Sequence, residues 1–121
     1  VLARVARHGA VAPMTPLDPL RDALRRFTSA RDWDQFHSPK NLAAALAVEA
    51  AELLEHYQWS ETASDPAKVR EELADVLLYL IRLADKLAID LTAAARDKIV
   101  LNAKKYPVEK ARGSARKYTD L

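Results

Sequence analysis

Asp65-PAKVREELADVLLYLIRLADK-Leu87 is the stretch of sequence that decides the fold. Its apolar residues recur every three or four positions, a spacing that predicts an amphipathic helix. Asp65 can accept hydrogen bonds from the free N–H groups of the first turn, and Pro66 suits the first helical position. We expect the apolar face to form a buried stripe. Its members are Val69, Leu73, Val76, Leu80, Leu83 and Leu87.

Three further helices are predicted around this one. They cover about Leu17–Ser29, then Pro39–Tyr57 behind a Ser38 cap, and a stretch that opens near Asp90 or Thr92 and ends before Pro107. The last boundary follows because the residue before a proline is pushed out of the helical region. Only two glycines are present, so strands with tight turns are not expected. Short connections favour antiparallel neighbours, and we predict an all-α fold, an antiparallel bundle of about four helices.

A single domain is expected from a chain of 121 residues. We assign it to residues 14–121 and interpret residues 1–13 as an N-terminal extension or an expression remnant. The absence of cysteine excludes disulfides, thiolate metal sites and a cysteine nucleophile. Since no apolar run is long enough to span a bilayer, no membrane partner is expected and the cytoplasm is the expected location.

Two acidic pairs carry the chemistry that the sequence suggests. Glu49 and Glu52 lie three residues apart on one predicted helix, as do Glu72 and Asp75 on the next, where Tyr79 continues the row. Four carboxylates in one place require a cation, and oxygen ligands select a hard ion, Mg²⁺ or Mn²⁺. The alternative is that these are surface acids paired with basic neighbours. The candidates for that pairing are Lys68, Arg70, Arg82 and Lys86.

A carboxylate-bridged di-iron site is excluded, because it needs Glu-x-x-His and that motif is absent. The last long helix carries Lys98, Asn102 and Lys105 at helical spacing on one face. Two ammonium groups and an amide suit phosphate oxygens. The same residues could equally be a solvated helix end that complements the helix dipole.

Two tryptophans flank the first acidic helix. Trp33 opens the segment Trp33-Asp34-Gln35-Phe36-His37, and Trp59 follows the end of the helix. Each could cap the core, or the two could stack a nucleobase as aromatic side chains do in nucleotide-binding sites. His37 suits a contact with base or phosphate as well as a structural hydrogen bond.

At this point the sequence resembles a known family. The pattern that carries the resemblance is Glu49-Ala-Ala-Glu52, nineteen intervening residues and then Glu72-Leu-Ala-Asp75. It is similar to the E-x-x-E…E-x-x-D signature of MazG-like nucleoside triphosphate pyrophosphohydrolases. Further segments resemble the dCTP pyrophosphatase branch of that family. They are Arg31 to His37, Glu52 to Trp59, Asp75 to Leu80, Lys105 to Val108 and Lys117 to Leu121.

The resemblance implies cleavage between the α and β phosphates of dCTP or a related pyrimidine nucleotide, modified ones included, for nucleotide pool sanitation. Glu49, Glu52, Glu72 and Asp75 would hold Mg²⁺, with Mn²⁺ as a substitute, and Glu49 or Glu52 would act as catalytic base. The nucleoside pocket would comprise Trp33, Asp34, Gln35, Phe36, His37, Trp59 and Tyr79, and the phosphates would contact Lys98, Asn102 and Lys105. The family assembles as dimers or tetramers with sites between subunits.

The chain departs from that branch in two places. Leu24 stands where we expect vertebrate members to carry a histidine, and the loop from Ser60 to Asp65 is shorter than theirs. The base preference therefore stays open. Two other functions also remain: a non-catalytic helical interaction module, and a nucleic-acid-binding bundle that uses the basic residues between Lys98 and Lys117, with nucleic acid the less favoured partner.

Overall fold

The computed structural model describes residues 15–121, which form five α-helices and two 3₁₀ turns without a strand. The helices are α1 (Asp18–Ala30), α2 (Pro39–Glu55), α3 (Pro66–Lys86), α4 (Leu91–Lys105) and α5 (Val108–Ala111), and the 3₁₀ turns are Asp34–Phe36 and Tyr118–Asp120. The all-α prediction is confirmed. The predicted extension, residues 1–13, lies outside the described residues.

Side-chain caps set the starts of the three longest helices. Ser38 Oγ accepts a hydrogen bond from the Asn41 N–H at 3.1 Å. Asp65 caps α3 at 3.3 Å and Asp90 caps α4 at 3.0 Å in the same way. These caps confirm the predicted starts because each satisfies an N–H that the helix itself leaves free.

The chain divides into two compact units, one ending at Ile89 and the other running from Asp90 to Leu121. In the first unit, α2 and α1 each pack against α3. His56, just after α2, contacts Glu72 near the start of α3, whereas His37, just before α2, contacts Arg82 near the end of α3. The helices α2 and α3 are therefore antiparallel, as predicted.

The core of the first unit is small. Its buried apolar residues are Leu42, Ile81 and Ala84, and Thr28 and Arg82 are buried beside them. The expected buried stripe on α3 is wrong, because none of its six members is buried: four are half-buried, and Leu73 is 53% and Leu87 48% exposed. The buried apolar residues of α3 are instead Ile81 and Ala84. The helices that pack on α3 within the described chain leave these two leucines uncovered.

The second unit comprises α4, α5 and the chain up to Leu121. The rings of Tyr106 and Tyr118 meet edge to face with centroids 6.0 Å apart, and Lys105 Nζ lies 4.9 Å from the Tyr118 ring. These contacts tie the end of α4 to the closing 3₁₀ turn. None of the helices in residues 15–121 combines the length and apolar character needed to cross a membrane.

Candidate active site

The two acidic pairs lie close together on α2 and α3. Burial raises the pKa of Glu49, and a hydrogen bond with Glu52 and the charges of Glu52, Asp75 and Glu72 raise it further. The other three carboxylates therefore all act on Glu49. We call Glu49, Glu52, Glu72 and Asp75 the carboxylate cluster.

No lysine or arginine of the described chain neutralises the carboxylate cluster. Within residues 15–121, none of its four members forms an ion pair with lysine or arginine. Arg82 instead contacts Asp34 and Asp85, and Lys86 contacts Asp34. The described chain therefore does not show the alternative in which these acids pair with neighbouring lysines and arginines.

One oxygen of the cluster is buried without compensation. Glu49 Oε2 has no hydrogen-bond partner among the described residues, whereas the buried Glu72 Oε2 lies 2.5 Å from His56 Nε2. A buried carboxylate oxygen is costly unless a donor or a cation satisfies it. In residues 15–121, no three histidine or acidic side chains are already arranged to hold a metal ion. The donor set nonetheless fits a hard divalent ion, which would have to draw the carboxylates together.

His56 is a neighbour of the cluster that sequence reasoning missed. Its Nε2 lies 2.5 Å from Glu72 Oε2, and its Nδ1 lies 3.1 Å from Ser64 Oγ. The imidazole thus bridges the loop after α2 to the acidic row of α3. A signal was available, because Glu49, Glu52 and His56 follow one another at i, i+3 and i+7 along one helix face.

The segment of residues 31–37, which we call the tryptophan loop, is held by aromatic and polar contacts. The Trp33 ring meets Phe27 edge to face at 5.6 Å and lies 6.4 Å from His37. The Trp33 N–H donates to the Thr28 carbonyl at 2.9 Å. Gln35 Nε2 donates to the Asp32 carboxylate at 3.0 Å within the loop. These contacts present Trp33 at the surface.

Two predicted substrate contacts in this loop already have protein partners. Asp34 forms an ion pair with Arg82, and Lys86 Nζ lies 3.6 Å from the same carboxylate. His37 Nδ1 accepts a hydrogen bond from Arg82 Nε at 3.4 Å. Burial and the nearby charge of Lys86 lower the pKa of His37, which favours the neutral imidazole that this bond requires. Arg82 is a second residue whose role the sequence did not reveal.

The remaining predicted contacts are spread over the chain. Phe36 is exposed, Trp59 is 90% exposed, and Tyr79 is partly buried one turn beyond Asp75 on α3. The three residues predicted to bind phosphates are exposed on α4, within the second unit. These three are Lys98, Asn102 and Lys105. Their substrate roles remain predictions.

The chain matches known proteins over most of its length. The model of the MazG-like family matches residues 44–121. The dCTP pyrophosphatase 1 of Mus musculus is 43% identical over 96% of this chain and 74% of its own length. The dCTP pyrophosphatase 1 of Homo sapiens is 41% identical over 91% of this chain and 70% of its own length.

A solved structure agrees with these sequence matches. The crystal structure of a pyrophosphatase from Archaeoglobus fulgidus superposes with a TM-score of 0.72 at 37% sequence identity. The superposition covers 81% of this chain and 98% of that one. The helical arrangement of this chain is therefore similar to that of an experimentally determined pyrophosphatase.

Proposed function

The chain belongs to the MazG-like family, and from that premise we propose that it is a nucleotide pyrophosphatase that hydrolyses dCTP to dCMP and pyrophosphate. The observation that carries this proposal is the carboxylate cluster, four acids on two packed helices in which a buried oxygen of Glu49 has no hydrogen-bond partner among the described residues. The identity of 41–43% to proteins named dCTP pyrophosphatase 1 supports dCTP as the substrate. Modified pyrimidine nucleotides are further candidates.

We assign the divalent ion to the carboxylate cluster, with Mg²⁺ the first candidate and Mn²⁺ a substitute. A bound divalent ion supplies charge neutralisation for the triphosphate. The cluster residues hold that ion, and either Glu49 or Glu52 takes the proton of the attacking water. Water adds to phosphorus, the linkage between the α and β phosphates breaks, and dCMP and pyrophosphate are released.

The aromatic residues around α2 are assigned to the nucleoside. Trp33 and Phe36 are exposed in the tryptophan loop, and Trp59 is exposed beyond α2. Stacking of a base on such side chains contributes about 1–3 kcal/mol. Tyr79, one turn beyond Asp75, is assigned to the sugar or base side of the cluster.

The exposed row on α4 is assigned to the phosphates that the divalent ion does not reach. Lys98 and Lys105 carry ammonium groups and Asn102 an amide, all suited to phosphate oxygens. Their exposure is compatible with this assignment. The assignment otherwise rests on the family resemblance of the segment that begins at Lys105.

Self-association belongs to the same proposal. Large apolar side chains are exposed on every long helix, among them Phe27 on α1, Leu54 on α2, Leu73 on α3 and Ile99 on α4. A monomer that left such surface in water would be unusual. We therefore propose a dimer or tetramer, with a cytoplasmic location retained as a prediction of the sequence.

Product identification tests the activity. The protein is incubated with each canonical dNTP and with 5-methyl-dCTP, in Mg²⁺ or Mn²⁺, and the products are separated. We expect dCMP and pyrophosphate from dCTP, with the methylated nucleotide as a second substrate. Formation of dCDP and phosphate, or no turnover in either metal, would contradict the proposed function.

A further inference from the structure

A buried arginine joins α3 to the tryptophan loop. The Arg82 side chain on α3 is only 7% exposed. Its guanidinium contacts the Asp34 carboxylate, lies 3.5 Å from Asp85 Oδ2 and donates through Nε to His37 Nδ1 at 3.4 Å. Removing a guanidinium from water is costly unless its donors are satisfied, so these partners determine where Arg82 can sit.

Two of these partners bracket the 3₁₀ turn that follows Trp33. Asp34 begins the turn and His37 directly follows it. The turn is closed by hydrogen bonds from the Phe36 N–H to the Trp33 carbonyl at 2.9 Å and from the His37 N–H to the Asp34 carbonyl at 3.1 Å. Because Arg82 contacts both ends of the turn, it constrains the direction in which the Trp33 ring leaves the backbone.

The third partner ties the same arginine to α1. Arg25 donates to both oxygens of Asp85, at 2.8 Å from Nε and 2.5 Å from Nη2. A bidentate pair of this kind fixes the relative orientation of the two side chains as well as pairing their charges. The chain Arg25–Asp85–Arg82 therefore holds the guanidinium through a partner outside the tryptophan loop.

Arg82 stands apart from the residues assigned to chemistry. It follows Asp75 by seven positions and Tyr79 by three, about two turns and one turn along α3. Its hydrogen bonds and ion pairs in the described chain are with the tryptophan loop and Asp85, and none is with the carboxylate cluster. Its influence on a substrate must therefore pass through the loop.

We propose that Arg82 is the positioning residue for base recognition: by holding Asp34 and His37 it fixes the tryptophan loop, and with it the stacking surface of Trp33. This assignment rests on the proposed hydrolysis of dCTP. It separates two tasks on α3, since the cluster near the start of the helix acts on the triphosphate and Arg82 near its end sets how well the base is held.

The kinetic test compares three variants. Arg82→Met keeps the aliphatic stem but removes the guanidinium, and Arg82→Lys keeps the charge but lacks the planar, forked donors of the guanidinium. Arg26→Met makes the same change as Arg82→Met at an exposed position without a described contact. The measurements are kcat and KM for dCTP and for dTTP, and inhibition by tripolyphosphate, which has no base.

Arg82→Met should raise KM for dCTP by about tenfold or more while kcat changes by less than about threefold. Inhibition by tripolyphosphate should stay within about twofold of wild type, and the preference for dCTP over dTTP should fall. Arg82→Lys should lie in between, and Arg26→Met should match wild type. Equal weakening of dCTP and tripolyphosphate, or an unchanged KM, would overturn the proposal.

A double-mutant cycle separates positioning from direct contact. If Asp34 acts through Arg82, Asp34→Asn should raise KM in the same direction, and adding it to Arg82→Met should have little further effect. Fully additive effects would mean that Asp34 contacts the substrate independently, and they would overturn the proposed route. Should Arg82→Met fail to fold, Arg82→Lys combined with Asp34→Asn provides the same cycle.

Amide hydrogen exchange tests the loop without relying on turnover. In free protein, Arg82→Met should speed exchange of the Trp33, Phe36 and His37 amides at least about tenfold relative to Arg26→Met. Unchanged exchange would overturn the positioning role whatever the kinetics show. Faster exchange in a protein whose wild type leaves dCTP intact would contradict the proposed function while supporting the role of Arg82 in the loop.

Discussion

Individual carboxylates of the cluster differ in their surroundings. Glu49 carries a buried oxygen without a hydrogen-bond partner in the described chain, a buried oxygen of Glu72 lies 2.5 Å from His56 Nε2, and Asp75 is exposed. The Glu52 side chain contributes to the raised pKa of Glu49. A residue-scale test must therefore remove charge without changing size, so that loss of a ligand is not confused with loss of packing.

Glu52→Gln should abolish turnover of dCTP, lowering kcat/KM by at least about 100-fold, because it replaces an anionic ligand by a neutral amide of similar size. The far-ultraviolet circular dichroism spectrum should be unchanged. Glu55→Gln is the matched control, since Glu55 lies one turn further along α2 and is exposed. Activity near wild type in Glu52→Gln would remove the metal-site assignment.

Glu49→Gln should stabilise the metal-free protein. Burial and three neighbouring carboxylates disfavour the charge of Glu49, so its removal should raise the free energy of unfolding at pH 7 by about 1 kcal/mol in EDTA. Added Mg²⁺ should stabilise the wild type but not the variant. Urea unfolding at constant protein concentration measures both effects. A loss of stability in EDTA would contradict the mutual repulsion.

Among the elements, the contact between α1 and α3 depends on Asp85. Hydrogen bonds from Arg25 hold the pKa of Asp85 below its usual range, although burial acts in the opposite direction. A depressed pKa means that Asp85 stabilises the fold above the ordinary carboxyl pKa of about 4 and loses this effect as the pH falls through the lower, folded-state value.

Asp85→Asn should therefore lower the free energy of unfolding by about 1–2 kcal/mol at pH 7, a value already reduced because Arg25 is half exposed. The difference between variant and wild type should shrink at strongly acid pH. Asp97→Asn is the control, since Asp97 is exposed on α4 without a described ion pair. Urea unfolding between pH 3 and pH 7 provides the measurement, and a constant difference would refute the linkage.

The phosphate assignment belongs to α4. Lys98→Met keeps the stem of the side chain but removes the cation, and loss of one charge-assisted contact should lower kcat/KM by roughly tenfold to a hundredfold. A solvated lysine would instead leave kinetics untouched. Lys104→Met is the control from the same helix, at an exposed position off the predicted face. Unchanged kinetics in Lys98→Met would end the phosphate assignment.

For the whole molecule, the decisive property is the apolar surface that a single chain leaves open. Within residues 15–121, five side chains are buried, while Leu54, Ile99 and Val108 are each about two-thirds exposed. Sedimentation should give a mass at least twice the 13.5 kDa of the chain. The unfolding midpoint should rise with protein concentration, because association stabilises the folded state. A monomer at every concentration would contradict self-association.

Local chemistry made the helices predictable. Caps at Ser38, Asp65 and Asp90 act on N–H groups three residues away, and apolar periodicity is a property of one helix, so the sequence alone determined where α2, α3 and α4 begin. The same helical spacing identified the members of both acidic pairs.

Only the tertiary structure decided which side chains of different helices and loops contact one another. The pKa of Glu49 depends on acids from two helices, and Arg82 meets His37 across 45 positions of sequence. The exposure of Leu73 and Leu87 likewise depends on which neighbours cover α3. Periodicity shows that a face is apolar or charged but not what packs against it, because contacts distant in sequence follow from the arrangement of whole helices.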